Sequence, residues 1–241
     1  MTRKMPVLLL HGFTSSLDCV TKPAAVLREA GFKVVTPILR GHGTKYQDLE
    51  GVVGADWFED GKKALDALVK KHRRPAAVVG LSMGGLVALD LAIRFPEKVA
   101  VVIGVAPALE FANPLSPLSK YVSRVVKVFP SPNAFADPEL RRQFDTNYKK
   151  FPTQTFAELY AYSREVRDRM PQLITPVHLI HSLKDRIVSP RATRFVMEVA
   201  RSERKSVSWY SKSGHEMFLD LESDAVSAEI RDFLLAFPDG K

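Results

Sequence analysis

The chain has little cysteine and no long apolar run. Cys19 is the single cysteine among 241 residues, so an intrachain disulfide and a thiolate metal cluster are both excluded. Such cysteine use is typical of a reducing compartment. No stretch approaches the ~18 consecutive apolar residues of a membrane-spanning helix, and the first apolar run ends at His11. We therefore predict a cytoplasmic protein without integral membrane association, and we interpret that first run as a strand rather than a signal peptide.

Acidic residues are outnumbered by basic ones, and nucleic-acid-binding motifs are missing. The formal net charge of +8 raises the question of nucleic-acid or anionic membrane partners. The densest basic stretches, KKHRRP at 70–75 and RSERK at 201–205, lie at expected helix ends, where cations complement the helix dipole. No zinc-finger spacing, aromatic RNA-binding motif or long basic helix accompanies them. We interpret both stretches as solvated surface and predict no nucleic-acid partner.

What the sequence does contain is an alternation of β-rich apolar runs with helical patterns. This alternation predicts an α/β fold in which a mostly parallel sheet of about six strands is flanked by helices. A hydrophobic content of 46% is sufficient for the interior of one medium-sized domain. The predicted strands are residues 6–10, 33–38, 76–81, 99–105, 176–182 and 207–211.

The interval from about Ala108 to Leu173 interrupts this alternation. It is rich in proline and contains helical stretches such as LSKYVSRVVKVF at 118–129, without a convincing parallel strand. Because the alternation resumes afterwards, we predict a helical cap at 108–173 inserted into a core formed by 1–107 and 174–241. The apolar stripe of the 118–129 helix favours packing against the core over forming an acyl-chain wall.

A serine between glycines lies where the third strand run meets a helical pattern. Gly80, Ser82 and Gly84 satisfy the pattern G-x-S-x-G, in which glycines let the backbone turn tightly around a nucleophile at a helix N-terminus. The helix dipole there favours the negative charge that develops during acyl transfer. The alternative is that the small residues merely allow close packing of helix on sheet, so the motif alone does not decide for catalysis.

A catalytic serine needs a base, and that base needs an acid that orients it. In a parallel sheet the reactive groups gather beyond the carboxyl ends of the strands. Asp185 and His215 each follow a predicted strand, downstream of Ser82. The chain order Ser, Asp, His is the order of the α/β-hydrolases. We predict that Ser82 is the nucleophile, His215 the general base and then acid, and Asp185 the partner of His215.

Other histidines and acids fit this pattern less well. His42, within RGHGT, is interpreted as a structural turn residue. His181 comes too early in the chain to complete the order. Asp220, shortly after His215, and Asp137, in the predicted cap, are weaker candidates for the acid.

The oxyanion of a tetrahedral intermediate also needs hydrogen-bond donors. The loop HGFTSS follows the first strand, and a glycine there lets the backbone approach a ligand. We predict that the backbone N–H groups of Phe13 and Met83 form the oxyanion hole, with His11 supporting the loop rather than accepting protons. Losing one such donor typically costs about 3 kcal/mol of transition-state stabilisation.

Six motifs taken together resemble a known family. LLLHGFTSS, PILRGHGT, DWFED, GLSMGG, SLKDRIV and SGHEM occur in the order and approximate spacing of bacterial carboxylesterases of the monoacylglycerol lipase type, within the α/β-hydrolases. The resemblance implies a serine hydrolase that cleaves carboxylic esters through an acyl-enzyme, without cofactor or metal. It also implies the roles given above to Ser82, Asp185, His215, Phe13 and Met83. Members usually carry one or two antiparallel strands before the HGF strand, so we expect a sheet without them here.

Several alternatives share this machinery. Thioesterase, lactonase and peptidase activities use the same catalytic residues, and a non-catalytic α/β-hydrolase would bind a small molecule without turning it over. The substrates we expect are small esters with short- to medium-chain acyl groups, or monoacylglycerols. The sequence leaves the choice between monomer and homodimer open.

Overall fold

The computed structural model describes residues 4–237, and a six-stranded parallel sheet lies at its centre. Within that range the strands are Val7–Leu10 (β1), Val34–Val35 (β2), Ala76–Leu81 (β3), Val99–Val105 (β4), Val128–Pro130 (β5), Lys150–Pro152 (β6), Val177–Ser182 (β7) and Lys205–Tyr210 (β8). The central sheet has the order β2, β1, β3, β4, β7, β8, and every neighbouring pair in it is parallel. The predicted parallel sheet of about six strands is confirmed.

The ends of the strands differ slightly from the prediction. β3 and β4 occupy the predicted residues. β2 is shorter and contains only Val34 and Val35, because Pro37 cannot donate a ladder hydrogen bond and the residue before a proline is conformationally restricted. β8 begins earlier than predicted, at Lys205.

Helices cover both faces of the sheet. They are Asp18–Glu29 (α1), Gly54–His72 (α2), Met83–Arg94 (α3), Ser119–Val125 (α4), Pro138–Phe144 (α5), Thr153–Arg169 (α6), Arg191–Val199 (α7) and Ser223–Ala236 (α8). Successive strand residues point to opposite faces, so Val78 and Val102 share one apolar core with α2, α3, α6 and α7, whereas Val79 and Ile103 share the other with α1 and α8. None of the helices described is long and apolar enough to cross a membrane.

Residues 108–173, which we call the inserted segment, connect β4 to β7. They contain α4, α5, α6 and an antiparallel pair formed by β5 and β6. This antiparallel pair was not predicted from the sequence. α6 does not stand apart from the sheet, since Leu159, Tyr162 and Val166 belong to the same apolar core as α3. Side chains of α4, α5, β5 and β6 line a cavity together with Ser82 and His215, two of the candidate catalytic residues.

Candidate active site

Ser82 lies in a strained turn between β3 and α3. Its backbone φ is +55°, in the left-handed region that non-glycine residues rarely occupy. The glycines on either side explain how the turn is built. A Cβ atom on Gly80 would lie 2.2 Å from the carbonyl oxygen of Gly84, and a Cβ on Gly84 would lie 2.5 Å from the carbonyl oxygens of Leu10 and His11. Strand, helix and turn can approach this closely only because both positions are glycine.

Asp185 lies in the turn that follows β7, and its carboxylate is fully hydrogen-bonded. Oδ1 accepts from the backbone N–H groups of Ile187 and Val188, at 2.8 and 3.0 Å. Oδ2 lies 2.7 Å from Nδ1 of His215. Burial alone would raise the pKa of Asp185, but the neighbouring His215 and the hydrogen bonds to the carboxylate outweigh it and lower this pKa well below its ordinary value. Asp185 is therefore an anion at neutral pH.

His215 lies in the loop after β8, with its ring buried beside that carboxylate. Burial lowers the pKa of His215, but the charge and hydrogen bond of Asp185 raise it more, and the net result is a pKa above the ordinary 6.5. Since Oδ2 of Asp185 can only accept, Nδ1 of His215 carries the proton. In the neutral ring Nε2 is then left as a proton acceptor. The arrangement is what a general base requires.

The loop that carries His215 is held by a buried carboxylate. Asp220 Oδ2 accepts from the N–H of Gly214 and from the N–H of Ala136, each at 2.6 Å, and Oδ1 accepts from the N–H of Asp137 at 3.3 Å. The N–H of Glu216 donates to the carbonyl of Ala134 at 3.0 Å. Hydrogen bonds on both sides of His215 thus hold its loop against residues 134–137 of the inserted segment.

The proposed oxyanion loop follows β1 and lies next to the serine. A Cβ on Gly12 would come 3.5 Å from the Cβ of Ser82, so Phe13 follows directly after a close approach of the two loops. Met83 is the first residue of α3, where backbone N–H groups have no partner within the helix. His11 Nδ1 lies 2.9 Å from the carbonyl of Gly12, and its Nε2 accepts from the N–H of Leu39 at 3.0 Å.

These contacts confirm the supporting role predicted for His11. Burial lowers the pKa of His11 to about 4, so the ring is neutral and its two nitrogens act as one donor and one acceptor. His42 is also structural, as predicted. Its Nδ1 lies 2.9 Å from the carbonyl of Arg40, its ring stacks on Tyr148, and burial lowers its pKa to about 3.

One cavity of about 630 Å³ brings Ser82, His215 and Phe13 together. Much of its wall is apolar, and these side chains all belong to the inserted segment: Phe111, Leu115, Val122, Phe129, Phe151, Phe156 and Leu159. Another part is polar and includes Arg141, Asp145, Asn147, Lys149, Arg186 and Glu216. A mixed lining of this kind can hold an apolar chain together with a polar group.

The apolar stripe of residues 118–129 does not pack against the core as the sequence predicts. Tyr121 and Val125 are 63% and 84% exposed, so they do not pack against the core. Val122 and Phe129 instead contribute to the cavity wall. The preference for core packing was therefore wrong for these residues.

Two residues with contacts at the site were not predicted from the sequence to have these roles. Asp220 was considered only as a rival acid, and His181 only as a rival base; His181 Nε2 lies 3.3 Å from Oδ2 of Asp185. Neither role could be recognised from the order of residues along the chain. No grouping of three or more His, Cys, Asp or Glu suited to a metal ion occurs in residues 4–237.

Comparison with known proteins identifies the family of this chain. The family model described as serine aminopeptidase, S33, matches residues 2–222. The chain belongs to this family. Among relatives of this S33 member, a carboxylesterase of Bacillus subtilis (strain 168) is 26% identical over 236 residues, covering 95% of this chain and 91% of the relative. A thermostable monoacylglycerol lipase of Bacillus sp. (strain H-257) is 27% identical over 232 residues, covering 94% and 89%.

Solved structures share the fold of this S33 family member. The structure reported for LipS and LipT, two metagenome-derived lipolytic enzymes, has a TM-score of 0.89 at 24% identity and covers 96% of this chain and 94% of that one. A soluble variant of monoglyceride lipase from Saccharomyces cerevisiae has a TM-score of 0.83 at 16% identity, with coverage of 97% and 87%. The α/β-hydrolase fold that the motifs implied is confirmed.

Proposed function

We propose that this protein is a serine carboxylesterase that hydrolyses small carboxylic esters, with short- to medium-chain acyl groups or monoacylglycerols as substrates. The observation that carries the proposal is the buried hydrogen bond of 2.7 Å between Asp185 and His215, at a cavity that Ser82 also lines. The carboxylesterase and monoacylglycerol lipase named among its relatives support the same activity.

The reaction follows from the protonation states of these three residues. Neutral His215 takes the proton from the Ser82 hydroxyl as the serine oxygen attacks the ester carbonyl carbon. When the tetrahedral intermediate collapses, the bond to the alcohol oxygen breaks and His215 returns the proton to that oxygen. Water then attacks the acyl-enzyme with His215 again as base, and release of the carboxylic acid restores the serine. Asp185 remains ionised throughout and stabilises the imidazolium.

The negative oxygen of each tetrahedral intermediate needs its own donors. In the proposal these are the backbone N–H groups of Phe13 and Met83, with the N-terminus of α3 adding a favourable dipole. Backbone donors fixed by a tight turn need no reorganisation as charge develops. The contacts of His11 support this role, since they hold the carbonyl of Gly12 and hence the peptide that leads into Phe13.

The cavity wall favours esters of apolar acids over peptides. An aminopeptidase must bind the positive amino group of its substrate, which calls for an ionised carboxylate facing the cavity. Of the cavity acids, Asp145 already pairs with Arg141 and Lys149, and Glu216 accepts a hydrogen bond from the side-chain amide of Asn147. The phenylalanine-rich part of the wall instead suits an acyl chain.

We also propose that the chain is divided into a core formed by 1–107 and 174–241 and a cap formed by 108–173, and that the protein is cytoplasmic.

A panel of substrates tests the proposal directly. Wild type and Ser82→Ala are assayed side by side on p-nitrophenyl esters and monoacylglycerols of graded acyl length, with matched thioesters, lactones and amino-acid p-nitroanilides. We expect ester hydrolysis by wild type and none by Ser82→Ala. Faster turnover of thioesters or lactones would assign the same site to that chemistry. Equal activity in both proteins would require another nucleophile.

A further inference from the structure

Asp185 contacts a second histidine besides His215. The side chain of His181, in β7, is fully buried, and its Nε2 lies 3.3 Å from Oδ2 of Asp185, the oxygen that also accepts from His215. We propose that His181 is a positioning residue of the hydrolytic site, holding the Asp185 carboxylate in the orientation that His215 needs. The inference rests on the proposed function, because it assigns to His181 a role in the same reaction.

The hydrogen bonds around His181 fix the location of its proton. Nε2 faces two acceptors, Oδ2 of Asp185 and the carbonyl oxygen of Val188 at 3.2 Å. Nδ1 lies 2.7 Å from the hydroxyl of Thr193 in α7. Since neither a carboxylate nor a carbonyl can donate, the proton lies on Nε2, and the Thr193 hydroxyl donates to Nδ1. Thr193 therefore selects the tautomer whose N–H lies within reach of both the Val188 carbonyl and the Asp185 carboxylate.

The ring of His181 packs against an aromatic side chain on the neighbouring strand β8. Its ring is stacked on Trp209, with ring centroids 6.1 Å apart. On that same indole lies the guanidinium of Arg194, 5.5 Å from the ring centroid. Asp185 is the acid in contact with His181, and its charge is shared with His215. An N–H donor at this position restrains the carboxylate that His215 also contacts.

The consequence is a chain of contacts that runs from α7 to the catalytic base. Thr193 orients His181, His181 and the turn amides of Ile187 and Val188 orient Asp185, and Asp185 orients His215. Without the His181 donor, Oδ2 loses the N–H-bearing nitrogen that lies 3.3 Å away. The carboxylate then becomes more basic and less restrained about its Cβ–Cγ bond. A more basic carboxylate raises the pKa of His215, and a less restrained one lowers the fraction of correctly placed imidazole.

Two substitutions at this position separate positioning from simple packing. The side-chain amide nitrogen of Gln occupies nearly the same distance from Cβ as Nε2 of His, so His181→Gln can keep the donor. Asn places its amide at the Nδ1 position, so His181→Asn removes the donor at Nε2. Both variants remove the aromatic ring equally. Thr193→Val is a third test, because it removes the hydroxyl that selects the tautomer of His181 and leaves His181 itself unchanged.

The experiment measures kcat, KM and the pH profile of ester hydrolysis for wild type and the three variants. Active sites are counted by fluorophosphonate titration, so that any loss of folded protein is removed from kcat. We expect His181→Asn to lower kcat about tenfold. This is less than the roughly hundredfold loss of rate that a displacement of about 1 Å causes. KM should change by less than about twofold, because uniform substrate binding is untouched. The acid limb of the pH profile of His181→Asn should move to higher pH, whereas that of His181→Gln should stay close to wild type. The profile of Thr193→Val should lie between those of His181→Asn and His181→Gln.

A second measurement is independent of turnover. In a Ser82→Ala background, 15N NMR follows the titration of the His215 imidazole in each variant. We expect its pKa to be higher with His181→Asn than with His181→Gln. An unchanged or lower pKa together with an unchanged kcat per active site would overturn the inference. Absence of ester hydrolysis by wild type would instead reject the proposed function, and the NMR comparison would still decide whether His181 acts on the Asp185–His215 pair.

Discussion

The turn that carries Ser82 and the loop that carries His215 are built in different ways. Ser82 is held by its own neighbours, since Gly80 and Gly84 create the space in which β3, α3 and the end of β1 meet. His215 is held by residues that are distant along the chain. Its ring is fixed by Asp185, and its backbone is fixed by Asp220 together with residues 134–137.

This difference shows why the proposed nucleophile is easy to recognise from the sequence, whereas the contacts that support the proposed base are not. A local motif encodes the conformation around Ser82, so five residues of sequence reveal it. The conformation around His215 depends on hydrogen bonds across the inserted segment, which no local pattern encodes. The inserted segment therefore does more than line the cavity beside Ser82, because it also holds the loop of His215, the proposed base.

The largest expected effect comes from disturbing the local turn. Gly84→Ala places a Cβ 2.5 Å from backbone oxygens of Leu10 and His11, which cannot move aside as a side chain can. We expect a loss of about 3 kcal/mol in the free energy of unfolding, together with loss of ester hydrolysis. Chemical denaturation followed by fluorescence measures the first quantity.

Gly12→Ala is the matched control for stability. Its Cβ would meet the nearest atom at an ordinary 3.5 Å, and Gly12 does not occupy the left-handed region. We expect its free energy of unfolding to change by less than about 1 kcal/mol. Equal stability of the two variants would show that close packing does not determine the turn.

The next largest effect comes from releasing the distant support of His215. Asp220→Ala leaves the N–H groups of Gly214 and Ala136 without their acceptor. Each buried unpaired group costs about 1–3 kcal/mol, and the loosened histidine should lower kcat on the order of tenfold. Asp224→Ala is the control, because Asp224 is exposed and pairs with Lys22 at the surface. A kcat for Asp220→Ala equal to that of the control would show that the loop does not need this carboxylate.

The smallest effect is a displacement of the pH profile. Only neutral His215 can accept the serine proton, so kcat/KM should rise with pH through the His215 pKa. Since Asp185 raises that pKa, the midpoint of the acid limb should lie above 6.5. Glu216 contributes in the same direction, so Glu216→Gln should move the midpoint to lower pH. A flat profile across the acid and neutral range would exclude His215 as the base.

The sequence predicted the strands of the sheet and the candidate catalytic residues better than the tertiary contacts that support those residues. Apolar runs located the six strands because buried parallel strands are almost continuously hydrophobic, and the G-x-S-x-G motif has local causes. The β5–β6 pair, the exposure of Tyr121 and Val125, and the contacts of His181 were not predicted. Each depends on where the inserted segment or a neighbouring strand comes to lie, and that placement is set by tertiary packing.

Covalent labelling of Ser82 tests the central claim most directly. In the proposed mechanism His215 activates Ser82, and Asp185 orients His215. A fluorophosphonate should label wild type at Ser82, as peptide mass spectrometry can show, and should not label Ser82→Ala. In His215→Ala the labelling rate should fall by a factor of about one hundred or more, since a positioned base contributes about that much. Labelling of another residue, or an unchanged rate in His215→Ala, would contradict the account.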